Sequence, residues 1–155
     1  MKRRNQQGLA MVEFAIIANV LFILLFAIIE FSVIFFDKAV ITNASREGAR
    51  RGIVYNPDGT STDEIKNTVM EYVQDKDKKV FLISLGSPSN FGNNKIQVNP
   101  VNCLKPRDLT ACPAGTPLTV SVDYEYHFLI LPHFVTQLAG LNPLTLSATT
   151  VMRME

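Results

Sequence analysis

The chain predicts an α+β fold: a long N-terminal α-helix that crosses a membrane, then a small head in which a second helix packs on an antiparallel β-sheet. Three observations predict it. Phe14 to Phe36 is an almost unbroken apolar run, Ile65, Val69 and Val73 form a helical stripe behind Ser61 and Glu64, and Leu118 to Ile130 alternates with period two. The boundaries divide the 155 residues into a leader, 1–8, a long helix, 9–54, with its first half in the membrane, and a head, 55–155. About 100 residues remain for the head, enough for a single core.

The leader, Met1-Lys2-Arg3-Arg4-Asn5-Gln6-Gln7-Gly8, is basic, and its cations hold it on the cytoplasmic side of a membrane. A secretory signal peptide fits less well, because its apolar core is only about 7 to 15 residues long and ends at a small-residue cleavage site. Here the small residue, Gly8, precedes the apolar run.

Neither glycine nor proline occurs between Gly8 and Gly48, so the segment propagates as one helix shared by membrane and extramembrane parts. Phe14 to Phe36 would be about 34 Å long at about 1.5 Å per residue, enough to cross a hydrocarbon core of about 30 Å. Glu13 stands out, since a carboxylate within a membrane-length helix is costly and reads as a functional group awaiting a partner. Glu30 lies roughly 25 Å further along the axis, which puts it near the opposite headgroup boundary as an interfacial acid. Asn19 is deeper, and bonds either its own helix backbone or a neighbouring helix.

From Asp37 to Arg51 the helix becomes charged. Glu47 lies one turn before Arg51 and Arg46 one turn before Arg50, which allows local pairing on an exposed face as well as subunit docking.

Asn56-Pro57-Asp58-Gly59 is a turn that ends the first helix. Ser61 and Glu64 have capping-box spacing, and Thr68 and Tyr72 extend the stripe of Ile65, Val69 and Val73. Val80 to Leu85 has strand length, and Lys95 to Asn99 alternates as a short strand. Leu118, Val120, Val122, Tyr124, Tyr126, Phe128 and Ile130 form the buried face of the longest predicted strand, with His127 on its polar face. Leu144 to Met154 supplies an antiparallel partner, and Pro132, Gly140 and Pro143 make the connection a loop with a short helix.

Composition and motifs narrow the function classes. Removing Lys2, Arg3 and Arg4 from 15 basic residues leaves 12 against 14 acidic ones, a near-neutral balance that argues against nucleic acid. There is no glycine-rich phosphate loop, Gly-x-Ser-x-Gly elbow or His-Glu-x-x-His, so no catalytic residues are assigned, no cofactor is expected and an enzyme is disfavoured. Outside the cytoplasm Cys103 and Cys112 favour a disulfide. A metal site with His127 and His133 is the weaker alternative, because metal-ligand spacing is absent, and none is assigned.

Gly8-Leu9-Ala10-Met11-Val12-Glu13-Phe14 resembles a prepilin processing site, with cleavage after Gly8 and the acid at the fifth mature position. Together with Glu30-Phe31 and Asn43-Ala44-Ser45-Arg46-Glu47-Gly48-Ala49-Arg50, this stretch is similar to the TadE-like family of minor pilins (pseudopilins) from tight-adherence (Tad/Flp) type IV pili. Leu144 to Glu155 also resembles the way such chains finish, with lower specificity. A type II secretion pseudopilin shares the glycine-to-acid spacing, and a membrane-anchored binding or sensor module fits the head.

The resemblance implies a minor pilin, cut by prepilin peptidase between Gly8 and Leu9 and needed for pilus initiation or assembly. Glu13, Phe14, Glu30, Arg46, Glu47 and Arg50 become its candidate assembly residues. Implied partners are that peptidase, other minor and major pilins, the inner-membrane assembly platform and membrane lipid. The implied location is the bacterial inner membrane, crossed once, with the head extracytoplasmic and incorporation into the extracellular pilus to follow.

Overall fold

A computed structural model describes residues 3–54, 60–74, 82, 91–100, 114–128, 140 and 144–154, with the backbone alone at 3–7, 9 and 93. Helix α1 spans Arg3–Ile53 and α2 spans Thr62–Val73; strands β1, Ile96–Asn99, β2, Pro117–Tyr126, and β3, Leu144–Arg153, form one sheet. The strands lie in the order β1-β2-β3, both pairs antiparallel. The α+β architecture is therefore that expected from the periodicities.

At about 1.5 Å per residue α1 is roughly 76 Å long, and it changes character along its length. None of the residues from Ala10 to Ile29 is buried, and their apolar side chains face outward on every side. From Glu30 onward a single stripe is buried: Glu30, Asp37, Ile41, Ala44, Ser45, Gly48, Ala49 and Gly52. Spacings of three, four and seven keep such residues on one helical face. The second half of α1 is thus part of the head's core, and the leader from Arg3 to Gly8 continues the same helix.

From Ala44 onward the buried stripe is made of small residues, because two layers press on it. A Cβ on Gly48 would sit 2.5 Å from Val69 Cγ2, and one on Gly52 would collide with Leu118 Cδ2 and Ile65 Cδ1. Glycine at these positions lets α2 and β2 approach the α1 backbone. Ser45 Oγ lies 2.7 Å from Thr150 Oγ1, and Lys38 Nζ donates to the Ser147 carbonyl, fixing β3 along α1.

Helix α2 begins as predicted: Ser61 Oγ accepts from the Glu64 N–H at 3.1 Å, and Glu64 Oε2 accepts from the Ser61 N–H at 3.2 Å. Ile65, Val69 and Val73 are buried. Thr68 and Tyr72 depart from expectation: Thr68 is half-buried with its hydroxyl on the Glu64 carbonyl, and Tyr72 is exposed. Both flank a single row of three buried residues spaced about one turn apart.

The sheet buries one face under the helices. Ile96, Val98, Leu118, Val120, Val122, Tyr124 and Tyr126 alternate inward as the pattern required, joined by Leu146 and Ala148 of β3. The opposite face is polar, with Ser121 and Thr149 hydroxyls 2.9 Å apart, Ser147 donating to Asp123 at 2.7 Å, and Lys95 paired with Glu125 at 2.5 Å. Strand β2 ends at Tyr126, short of the predicted Ile130, because its partner begins at Leu144, opposite Tyr126. Lys95 belongs to a 3-10 turn, Asn93–Lys95, so β1 starts one residue later than the predicted strand. The Asn56–Gly59 turn, most of the Val80–Leu85 run and most of the Leu129–Pro143 connection lie outside the described residues; Leu82 is buried in the core.

Candidate functional site

The candidate residues lie along α1 rather than around a pocket. From Glu13 to Arg50 they are strung over about 55 Å of helix axis, a spread suited to lengthwise contact with other helices or lipid. Among the described residues one helix is long and apolar enough to cross a membrane, and no group of three or more potential metal ligands occurs.

At the N-terminal end Gly8 is exposed, and among the described residues nothing lies within 4 Å of the space a Cβ would occupy. Leu9 follows in the helix, its side chain outside the described residues. Glu13 is exposed and has no hydrogen-bond or ion-pair partner among the described residues; Phe14, beside it, is 72% exposed. An unpartnered acid on an apolar helix gains from a cation supplied by another molecule. Asn19 takes the first of its two options, donating from Nδ2 to the Ala15 carbonyl at 2.9 Å, and Ser32 does the same to Ile28 at 2.8 Å. Such local bonds let polar side chains reside in an apolar helix.

Glu30 differs from its expected place. Instead of projecting into headgroups it is 1% exposed, enclosed by the base of the head, where the Tyr126 hydroxyl donates to its Oε1. Tyr126 is fully buried and stacks edge-on against Phe128, with ring centroids 5.6 Å apart. Burial, reinforced by the nearby Glu30 carboxyl, pushes the Tyr126 phenol well above its ordinary value of 10.0. Asp37, two turns along the same face, is also fully buried and adds to that shift. Sequence reasoning missed Asp37. The available signal was its place seven residues after Glu30 and four before Ile41, on what becomes the buried face.

The charged stretch is brought together differently from its spacing. Glu47 pairs with Arg50, three residues on, through bonds of 2.6 and 2.9 Å, and not with Arg51. The bidentate bond holds the Glu47 carboxyl below its ordinary value and raises the Arg50 guanidinium. Arg50 and Glu47 side chains are 67% and 36% exposed, so the pair adds little stability and remains available at the surface. Arg46 is exposed, whereas Arg51 borders a shallow polar groove with Glu64, Asn67 and Glu71 of α2. His127 is half-buried just beyond β2; Cys103, Cys112 and His133 lie outside the described residues.

One apolar helix of membrane length, capped by a head that closes around its second half, defines a helix-anchored α+β protein. A family model described as TadE-like protein matches residues 8–50. The match runs along α1 from Gly8 to Arg50 and takes in every assembly candidate, while most of the head lies beyond it. Over that stretch the chain is similar to TadE-like proteins. No curated protein and no solved structure matches the chain.

Proposed function

We propose that this protein is a minor pilin, or pseudopilin, of a Tad (Flp) type IV pilus, a non-enzymatic subunit that acts in fibre initiation or assembly. The observation that carries the reading is the first half of α1: apolar on every side, continuous through Gly8, and bearing an unpartnered Glu13 five positions later. Prepilin peptidase would cut between Gly8 and Leu9, leaving a new α-amine. In a shared bundle that amine on one subunit neutralises Glu13 on the next, which lowers the cost of burying either charge. The inner-membrane assembly platform and the other pilins are the partners, and the head lies outside the cytoplasm. A minor role follows from bulk, because a head of roughly 100 residues would have to be accommodated at every helical repeat of a shaft.

Mass spectrometry of the mature N-terminus tests this reading. A chain beginning at Leu9 supports it, together with accumulation of the longer precursor in Gly8→Val and poor incorporation of a normally cleaved Glu13→Ala. Native protein intact from Met1 in piliated cells would refute processing, and a plain membrane anchor would then explain α1 better. Fibres built mostly of this chain would refute the minor role.

A further inference from the structure

One face of α1 stays exposed alongside the head. Ile28, Phe35, Ala39, Arg46 and Arg50 are exposed, and each stands two residues before a member of the buried stripe. Two residues turn an α-helix by about 200°, so these five side chains line the face turned away from α2 and the sheet. The same line runs back through Ser32, Leu25 and Leu21, all exposed. From Leu21 to Ala39 its spacing alternates four and three, the period of a helix that packs lengthwise on a second helix.

Lipid accounts for only part of this line. Ala10 to Ile29 supplies the roughly 20 residues that a hydrocarbon core of about 30 Å requires, and from Glu30 onward the opposite face is enclosed by the head. Phe35, which is 70% exposed, and Ala39 lie about 9 and 15 Å past Ile29, so the apolar line continues beyond the core. Ser32 and Ala39 flank Phe35 by about one turn on either side, and small residues there let a neighbouring backbone come close around the ring.

Charge selects the neighbour. Above Ala39 the line turns basic at Arg46 and Arg50, and a second copy anchored at the same depth would set each arginine against its own counterpart. The sole acid between Lys38 and Arg51 is Glu47, which Arg50 already holds in two bonds. Arg46 has no ion-pair partner among the described residues. Like charges across such a seam repel and opposite charges attract, which disfavours self-pairing.

We propose that the face of α1 opposite the head docks the anchored helix of a different chain, apolar beside Phe35 and Ala39 and acidic beside Arg46 and Arg50. The inference rests on the pilin reading and deepens it, since it makes the neighbour another pilin with carboxylates two to three turns beyond its contact with Ala39.

The test places p-benzoylphenylalanine at residue 35 of the full chain in cells that assemble the pilus. After irradiation, peptide mapping should identify the captured segment as the helix of a different anchored chain, with Asp or Glu about three to four turns after the attachment point. Arg46→Glu should cut that adduct about three- to tenfold, and reversing the partner's acid to Lys should restore it. The same probe at residue 22, within the anchor, serves as the reference. Capture at residue 35 of lipid alone, of a second copy, or of a helix without those acids would overturn the proposal, as would an adduct indifferent to Arg46→Glu; pilins captured at residue 22 would leave the pilin reading standing. No pilin captured at either residue would overturn that reading and the proposal with it.

Discussion

Replacing Tyr126 with Phe removes one oxygen from the junction between α1 and the head and leaves the apolar packing in place. The ring remains buried and keeps its edge contact with Phe128 at 5.6 Å. What is lost is the donor to Glu30, a carboxyl that is 1% exposed and cannot replace it with bulk water. Removing one partner of a buried hydrogen bond costs about 1 to 3 kcal/mol, so a loss near 2 kcal/mol is expected. For a head of this size that lowers the midpoint by roughly 8 to 15 °C. The measurement is thermal unfolding of the full chain in detergent, followed by near-ultraviolet circular dichroism of its four tyrosines. Glu30→Leu and the double variant complete a cycle, in which removing both partners should cost less than the two single losses added together. A Tyr126→Phe change within about 0.5 kcal/mol of the parent, or strict additivity in the cycle, would refute the claim that this bond joins anchor to head.

Gly48→Ala should lower stability by up to about 2 kcal/mol in the same assay: overpacking against the stiff Val69 side chain costs about 1 to 3, and better helix propensity returns about 1. Val69→Ala should be less damaging in that background than in the parent, and strict additivity of the two changes would contradict the close approach of α2. Head stability should hold steady up to about pH 10, the ordinary phenol value, and fall above it, because the unfolded Tyr126 phenol ionises while the folded one retains its proton. Tyr126→Phe should shrink that alkaline loss, and an unchanged profile would argue against it. Non-reducing peptide mapping of the exported protein should link Cys103 to Cys112, a ten-residue closure contributing about 2 to 3 kcal/mol, whereas free thiols there would rule the bridge out.

Sequence by itself determined the elements whose causes are local. Absence of glycine and proline between Gly8 and Gly48 implied an unbroken α1, Ser61 and Glu64 set the start of α2, and the alternation from Leu118 to Tyr126 assigned the buried face of β2. Gly8, Glu13 and the Arg46–Arg50 stretch were marked as candidates on the same local basis, as short patterns read without knowing the fold. The tertiary structure alone decided Glu30. A lone acid in an apolar helix looks the same whether it faces headgroups or a protein donor, and its donor, Tyr126, is 96 residues away. It also decided why Gly48 and Gly52 are glycines, since Val69 and Leu118 reach them only once α2 and β2 have folded back on α1. Periodicity encodes which side of an element is apolar, but which element covers that side, and at what height, depends on chain closure over long separations. For this protein that closure makes the second half of the long N-terminal helix the central helix of a head.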